Sequence, residues 1–110
     1  MSVSDEYLTY VVEQLEGLGP VQSRRMFGGA GLYCDGLFFA LVADDVLYFK
    51  VDDSNRPDYE AAGMEPFQPF PDKKSVMQYY EVPIDVLENR QTLHDWAQKA
   101  LDVAKRKADR

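Results

Sequence analysis

Two tight turn signals between three apolar segments constrain the fold of this chain more than any other feature. The pair Asp35-Gly36 separates the first two segments, and the pair Asp44-Asp45 separates the second from the third. The segments themselves are residues 32–34, 37–42 and 46–51. An Asp-Gly pair between two apolar runs is a strong signal for a two-residue hairpin turn. The spacing therefore predicts an antiparallel meander of three strands in the middle of the chain.

The predicted register places apolar side chains on both faces of this sheet. Two-residue loops pair Tyr33 with Phe38, and Leu32 with Phe39. One face then carries Gly29, Gly31, Tyr33, Phe38, Ala40, Val42, Leu47, Phe49 and Val51. The second face carries Ala30, Leu32, Cys34, Leu37, Phe39, Leu41, Val46, Tyr48 and Lys50. An antiparallel sheet with one solvated face alternates between apolar and polar residues, so we expect helices or another chain to cover the second face.

Segments with helical spacing stand on both sides of the meander. Ser4 is a suitable N-cap for a helix over residues 4–18, where apolar residues recur at helical intervals. After the meander, the sequence predicts a short helix over 54–63, an extended proline-rich edge segment over 65–71, a strand over 76–82, a helical turn over 84–89 and a last helix over about 91–107. Grouped strands with flanking helices predict an α+β fold. We expect one domain over residues 1–110, with an antiparallel sheet of about four to five strands packed against N- and C-terminal helices.

The charge balance argues against direct reading of nucleic acid. The chain of 110 residues has 12 basic and 19 acidic residues, for a formal net charge of −7. Binding to DNA rests mainly on the neutralisation of phosphates by clustered Lys and Arg. The basic residues near the C-terminus (Lys105, Arg106, Lys107 and Arg110) are expected to complement the dipole at the end of the last helix.

The cysteine content and the hydropathy pattern indicate a cytoplasmic protein. One cysteine, Cys34, excludes an intramolecular disulfide, which fits a reducing compartment. No apolar run approaches the roughly 20 residues that a membrane-spanning helix needs, and the N-terminus lacks the pattern of a signal peptide. We therefore expect no membrane partner.

The sequence contains no recognisable catalytic motif and no recognisable metal-binding motif. His94 is the only histidine and Cys34 the only cysteine, so a zinc site would need carboxylates for its other ligands, which is uncommon for structural zinc. We interpret Cys34 as a small buried hydrophobic residue and His94 as a surface residue of the last helix. The sequence predicts that the protein is not an enzyme and has no catalytic residue, metal or cofactor.

One unusual stretch, with two arginines before a glycine-rich segment, is the candidate binding site. The candidate residues for a partner or an anion are Arg24, Arg25, Met26, Phe27, Gly28 and Gly29, together with Lys50. Glycines expose backbone N–H groups and guanidinium groups bind anions, which favours a binding role. The structural alternative is that Gly29 and Gly31 share a face with Ala40, so that a helix approaches the sheet closely or a bulge forms. Lys50 is expected to pair with Asp52 or Glu81, or to mark an interface.

The same stretch is part of a longer pattern that resembles a known family. The pattern consists of Arg24-Arg25-Met26-Phe27-Gly28-Gly29, Gly31-Leu32-Tyr33, Asp35-Gly36, Leu47-Tyr48-Phe49-Lys50-Val51, Pro66-Phe67 and Tyr79-Tyr80-Glu81-Val82-Pro83. Over about residues 5–105 it resembles the N-terminal domain family of TfoX (also called Sxy), the bacterial competence regulator. The resemblance implies a two-layer α+β fold similar to secretion-chaperone-like domains, and a role in turning on genes for DNA uptake. It also implies action with the cyclic-AMP receptor protein, as a coactivator of transcription rather than an independent DNA reader.

Three hypotheses of function follow. The first is a regulatory adaptor that binds a protein through the stretch from Arg24 to Gly29 and through the second sheet face. The alternative is a small-anion or nucleotide-binding domain that uses Arg24, Arg25 and the glycine-rich start of the strand. The third is a homodimer with the second face as its seam, since symmetric dimers are the commonest oligomers. Full-length regulators of this family carry a second, helical domain, so we expect a single-domain relative or a truncated form.

Overall fold

The computed structural model describes residues 4–26, 29–67 and 78–108, in which helices flank one antiparallel sheet. The elements are α1 (Asp5–Gln14), β1 (Val21–Met26), β2 (Gly29–Cys34), β3 (Leu37–Ala43), β4 (Val46–Lys50), α2 (Arg56–Ala61), β5 (Tyr79–Glu81), α3 (Ile84–Leu87) and α4 (Arg90–Ala108). The strands follow the order β1-β2-β3-β4-β5, so every strand pairs with its neighbour in the chain. The predicted α+β fold is confirmed. Of the helices in these ranges, none combines the length and apolar content needed to span a bilayer.

Both predicted hairpin turns are present. Asp35 and Gly36 have φ angles of 52° and 80°, and Asp44 and Asp45 have φ angles of 52° and 56°. Positive φ at both central residues is the requirement of the type I′ turn, whose twist matches that of the flanking strands. The turns set the predicted pairs of Tyr33 with Phe38, and of Val42 with Leu47.

A β-bulge corrects the predicted register between β2 and β3. Leu32 pairs with Ala40 rather than with Phe39, because the register shifts between Leu32 and Tyr33. A bulge sets two residues of one strand against one residue of its partner. Phe39 is the extra residue, and its fully buried ring lies 6.0 Å from that of Phe49 between centroids.

The bulge also corrects the predicted composition of the two faces. Gly31 pairs with Leu41, whereas Ala40 shares its face with Leu32 and Phe49. The prediction that Gly31 shares a face with Ala40 is therefore wrong, because the extra residue reverses the alternation along β3. Side chains from both predicted faces mix on each real face.

The hydrophobic core lies on one face of the sheet, which we call the inner face. Buried residues of all four described helices belong to a single cluster with the inner-face residues of the strands. The members from the helices and the C-cap of α1 are Val11, Leu15, Tyr59, Val86, Leu87, Leu93, Ala97, Ala100, Leu101 and Ala104. The opposite face, the outer face, has no helical cover among the described residues. Its members include Arg24, Gly31, Tyr33, Phe38, Leu41, Tyr48, Lys50, Tyr79 and Glu81.

Polar contacts fix α1 against the rest of the domain. Ser4 is the predicted N-cap, and its Oγ accepts a hydrogen bond from the Tyr7 backbone N–H at 3.1 Å. The ring of His94 lies within hydrogen-bond distance of the Gln14 carbonyl, at 3.1 Å from Nε2. His94 is therefore half-buried between α4 and the end of α1, and its predicted surface position is wrong. Cys34 is buried, as predicted.

The segments that close the sheet lie partly outside the described residues. Pro66 forms an isolated antiparallel bridge with Tyr80, and the Phe67 N–H donates to the Tyr79 carbonyl at 2.7 Å. The start of the predicted edge segment therefore runs along β5. Residues 68–71 of that segment and residues 76–77 of the predicted strand lie outside the described ranges.

β1 is the strand that apolar patterning does not reveal. Its sequence, Val-Gln-Ser-Arg-Arg-Met, has apolar residues only at its ends. It forms one edge of the sheet and pairs along its whole length with β2. Charged side chains on an edge strand discourage pairing with other chains, which explains why this strand is polar.

Gly29 provides a test of how closely β2 and β3 approach each other. A Cβ added to Gly29 would lie 2.4 Å from the carbonyl oxygen of Val42. We predict that Gly29→Ala lowers the free energy of unfolding by about 2–3 kcal/mol, because the backbone must shift to admit the methyl group. Urea denaturation measures the change.

Gly63→Ala is the matched control. Gly63 has open space around its Cβ position but a φ of +77°, so its replacement should cost only about 1 kcal/mol of left-handed backbone strain. Equal losses of stability in the two variants would contradict the close approach of β2 to β3.

Candidate functional site

The structure places the two predicted arginines on opposite faces of the sheet. Successive side chains of a strand point to opposite sides, and Arg24 and Arg25 are successive residues of β1. Arg25 forms an ion pair with Asp5 in the first turn of α1. Arg24 pairs in register with Gly31 of the outer face, and its guanidinium carbon lies 5.8 Å from the centre of the Tyr33 ring. The two guanidinium groups therefore do not converge on one ligand.

The rest of the predicted stretch lies only partly within the described residues. Met26 and Gly29 are the last pair of the β1–β2 ladder. Phe27 and Gly28 lie outside the described residues, as does the side chain of Met26. Gly29 has a structural role, since its backbone lies against the Val42 carbonyl.

Lys50 lies on the outer face together with Tyr48, but without the predicted carboxylate partner. In the described part of the chain no salt bridge involves Lys50, because Arg106 binds Asp52 and because Glu81 stands opposite Tyr48. The ammonium nitrogen lies 5.5 Å from the centre of the Phe38 ring and 5.7 Å from that of Tyr79. Burial, with a smaller contribution from the charge of Lys107, lowers the pKa of Lys50.

These contacts join into a row that crosses the whole sheet, which we call the outer row. Each strand contributes one residue to it, and the members from β1 to β5 are Arg24, Tyr33, Phe38, Lys50 and Tyr79. The rings of Tyr33 and Phe38 are stacked with centroids 5.0 Å apart, and those of Phe38 and Tyr79 lie 5.7 Å apart. Cations over aromatic faces are attracted by the ring quadrupole, by about 0.5–1 kcal/mol at exposed sites. The outer row is therefore a preformed surface of rings and positive charges.

A third aromatic contact extends this surface to the segment that runs along β5. Tyr48 of β4 packs against Phe67, with ring centroids 4.7 Å apart. Tyr79 has an exposed fraction of only 8%. Burial, and then the neighbouring Tyr33, raise the pKa of Tyr79 to about 12, so its hydroxyl stays neutral at physiological pH.

A separate cleft, which we call the end cleft, opens where the last turn of α4 meets the loop after β4. Its volume is about 210 Å³, and it is lined by Asp52, Asp53, Arg56, Gln78, Arg106 and Lys107. The sequence suggested only a dipole-complementing role for the basic residues at the end of α4. Their contact with the loop joins positions 54 residues apart, which local patterning does not reveal.

Hydrogen bonds to Asp52 and Asn55 shape one wall of this cleft. The Asp52 carboxylate accepts from the Ser54 backbone N–H at 2.8 Å and from Arg106 at 2.9 Å. The buried Asn55 amide donates to the Lys50 carbonyl at 3.1 Å and accepts from the Asp52 N–H at 2.9 Å. Burial alone would raise the pKa of Asp52, but hydrogen bonds from Ser54 and Arg106 outweigh burial and lower the pKa to about 2.

Two observations concern Cys34 and the residue types that could ligate a metal. Burial, and then the carboxylate of Asp35, raise the pKa of the Cys34 thiol, so this cysteine is a poor nucleophile. Within the ranges 4–26, 29–67 and 78–108, no three His, Cys, Asp or Glu side chains are grouped so as to hold a metal ion.

The Asp52 contacts predict an acid-sensitive contribution to stability. A carboxylate whose pKa is depressed by folding stabilises the protein above its unfolded pKa, here 3.8, and loses that contribution as the pH falls toward 2. We expect Asp52→Asn to lower the free energy of unfolding at pH 7. We also expect the free energy of unfolding of this variant to decrease less than that of the wild type as the pH falls below 4. Urea denaturation at several pH values, with the exposed Asp95→Asn as control, measures both effects. Identical pH profiles for wild type and Asp52→Asn would contradict this assignment.

The comparisons with known proteins agree with the pattern seen in the sequence. No curated protein matches the chain. The family model of the TfoX N-terminal domain matches residues 13–104. The match therefore includes all five strands, the outer row and most of α4. The chain belongs to the TfoX N-terminal domain family.

Proposed function

We propose that this domain is a cytoplasmic regulatory adaptor of the competence type, which acts by binding a protein through its outer face and is not an enzyme. The observation that carries the proposal is the outer row. All four described helices pack on the inner face, which leaves the row of rings and cations without helical cover among the described residues. Membership of the TfoX N-terminal domain family supports a role in the regulation of DNA uptake.

The chemistry of the outer row suits a protein interface. Aromatic residues and Arg are enriched at interfaces, where they supply most of the binding free energy. Tyr33 and Phe38 are already held by stacking at 5.0 Å, so little side-chain freedom would be lost on binding. Arg24 and Lys50 add two positive charges that would favour an acidic patch on the partner.

The same charges argue against duplex DNA as the ligand. The salt-dependent affinity for DNA grows with the number of phosphates that Lys and Arg neutralise. The outer row supplies two cations, in a chain whose formal net charge is −7. By family resemblance, the expected protein partner is the cyclic-AMP receptor protein at promoters of competence genes, so that DNA contact would come from that partner.

A binding experiment with charge variants tests the proposal. Arg24→Gln combined with Lys50→Met removes both outer charges and keeps side-chain bulk. We expect about tenfold weaker binding to purified cyclic-AMP receptor protein with cyclic AMP bound, equivalent to roughly 1.4 kcal/mol. Biolayer interferometry measures the affinity, and thermal melting confirms that the variant is folded.

Arg25→Gln is the matched control, because it removes one guanidinium from the same strand but on the inner side. It should leave the affinity unchanged. Undiminished binding by the double variant would overturn the use of the outer face. Light scattering on the same samples tests the third hypothesis: a dimer that the double variant dissociates would assign the outer face to self-association instead.

A further inference from the structure

We propose that the end cleft binds a phosphate-class dianion, supplied either as inorganic phosphate or as the phosphate group of a small phosphorylated compound. The proposal does not depend on the partner of the outer face. It also differs from the anion site predicted at Arg24 and Arg25, since those side chains lie on opposite faces of β1.

The balance of charge in the cleft leaves positive charge in excess. Three cations and two carboxylates line it. Each carboxylate is already bound by a guanidinium, Asp52 by Arg106 and Asp53 by Arg56. Lys107 has no ion pair among the described residues, although its half-buried side chain faces the cleft.

The cleft also contains hydrogen-bond donors that are not used by contacts within the described part of the chain. One terminal nitrogen of Arg106 donates to Asp52 and to the Ser54 hydroxyl, and one terminal nitrogen of Arg56 donates to Asp53. A guanidinium has five N–H donors in a planar fork, so both groups keep further donors. The Lys107 ammonium and the Gln78 amide add more. Several donors with positive charge around a small space match the several acceptor oxygens of a phosphate.

The neighbourhood of Lys107 gives a second indication. Lys107 is close enough to Lys50 for its charge to help burial disfavour the protonated form of Lys50. Neither lysine has a carboxylate partner in the described ranges, so the two ammonium groups repel each other. A bound dianion would offset that repulsion. A cleft of about 210 Å³ accommodates a phosphate group with a small substituent.

Nuclear magnetic resonance titration tests the proposal directly. Uniformly ¹⁵N-labelled protein is titrated with sodium phosphate, with adenosine monophosphate and with sodium acetate, at constant ionic strength and pH 7.5. We expect saturable shifts of the backbone amides of residues 52–56, 78 and 106–107 with the two phosphate compounds. Equal affinities would identify free phosphate as sufficient, and tighter binding of adenosine monophosphate would identify a phosphorylated compound; both support the proposal.

Matched lysine variants separate a site from general electrostatic attraction. Lys107→Met is expected to weaken phosphate binding by about tenfold, because it removes a charge-assisted contact. Lys105→Met removes the same charge from an exposed position in the same helical turn and should have no effect. Thermal melting checks that both variants are folded.

Three results would overturn the proposal: the absence of saturable shifts with phosphate, acetate binding as tight as phosphate, or equal losses in the two lysine variants. None of these results depends on the outer face. Failure of the cleft proposal is therefore distinguishable from failure of the adaptor proposal, because the first is read from phosphate titration of the wild type and the Lys105 and Lys107 variants, and the second from binding to the cyclic-AMP receptor protein.

Discussion

The β-bulge at Phe39 determines which side chains of this domain face the helices and which face outward. By adding one residue to β3, it turns both Phe39 and Ala40 inward and leaves Phe38 on the outer face. The inward ring packs near Phe49, and burial of one such ring stabilises a fold by about 1.5–3 kcal/mol. The outward ring stacks on Tyr33 and contacts Tyr79. In a regular β3, Phe38 would share a face with Ala40 and Val42, whereas the bulge separates it from them.

The parts of the fold that were predictable from the sequence are those with a local signal. Asp35-Gly36 and Asp44-Asp45 meet the backbone demands of type I′ turns, so the strand order of the meander and the pairs next to each turn follow from them. The position of the bulge in β3 was not predictable, because β3 is apolar at every position. Register is specified strongly only where alternation distinguishes a buried face from a wet one.

In the candidate sites, too, features set by neighbouring residues were predictable, whereas contacts between distant parts of the chain were not. Alternation along β4 places Lys50 on the same face as Tyr48, although the predicted faces as a whole do not correspond to the real ones. Its expected partner Asp52 is bound instead by Arg106, a contact between distant parts of the chain that no spacing rule indicates. Arg24 and Arg25 were grouped as neighbours in sequence because β1, a polar edge strand, has no apolar pattern. Recognition of that strand would have placed the two arginines on opposite faces.

The outer row and the end cleft both carry a local excess of positive charge, although the net charge of the chain is negative. The chain carries a formal charge of −7, yet Arg24, Lys50 and Lys107 have no salt bridge within the ranges that the structure describes. A local excess of positive charge creates its own field whatever the net charge of the protein. Lys50 belongs to the outer row and also experiences the charge of Lys107 at the cleft. The bond between Arg106 and Asp52 holds the end of α4 where this interaction occurs, so a dianion bound in the cleft would offset the repulsion between Lys107 and Lys50 and raise the pKa of Lys50.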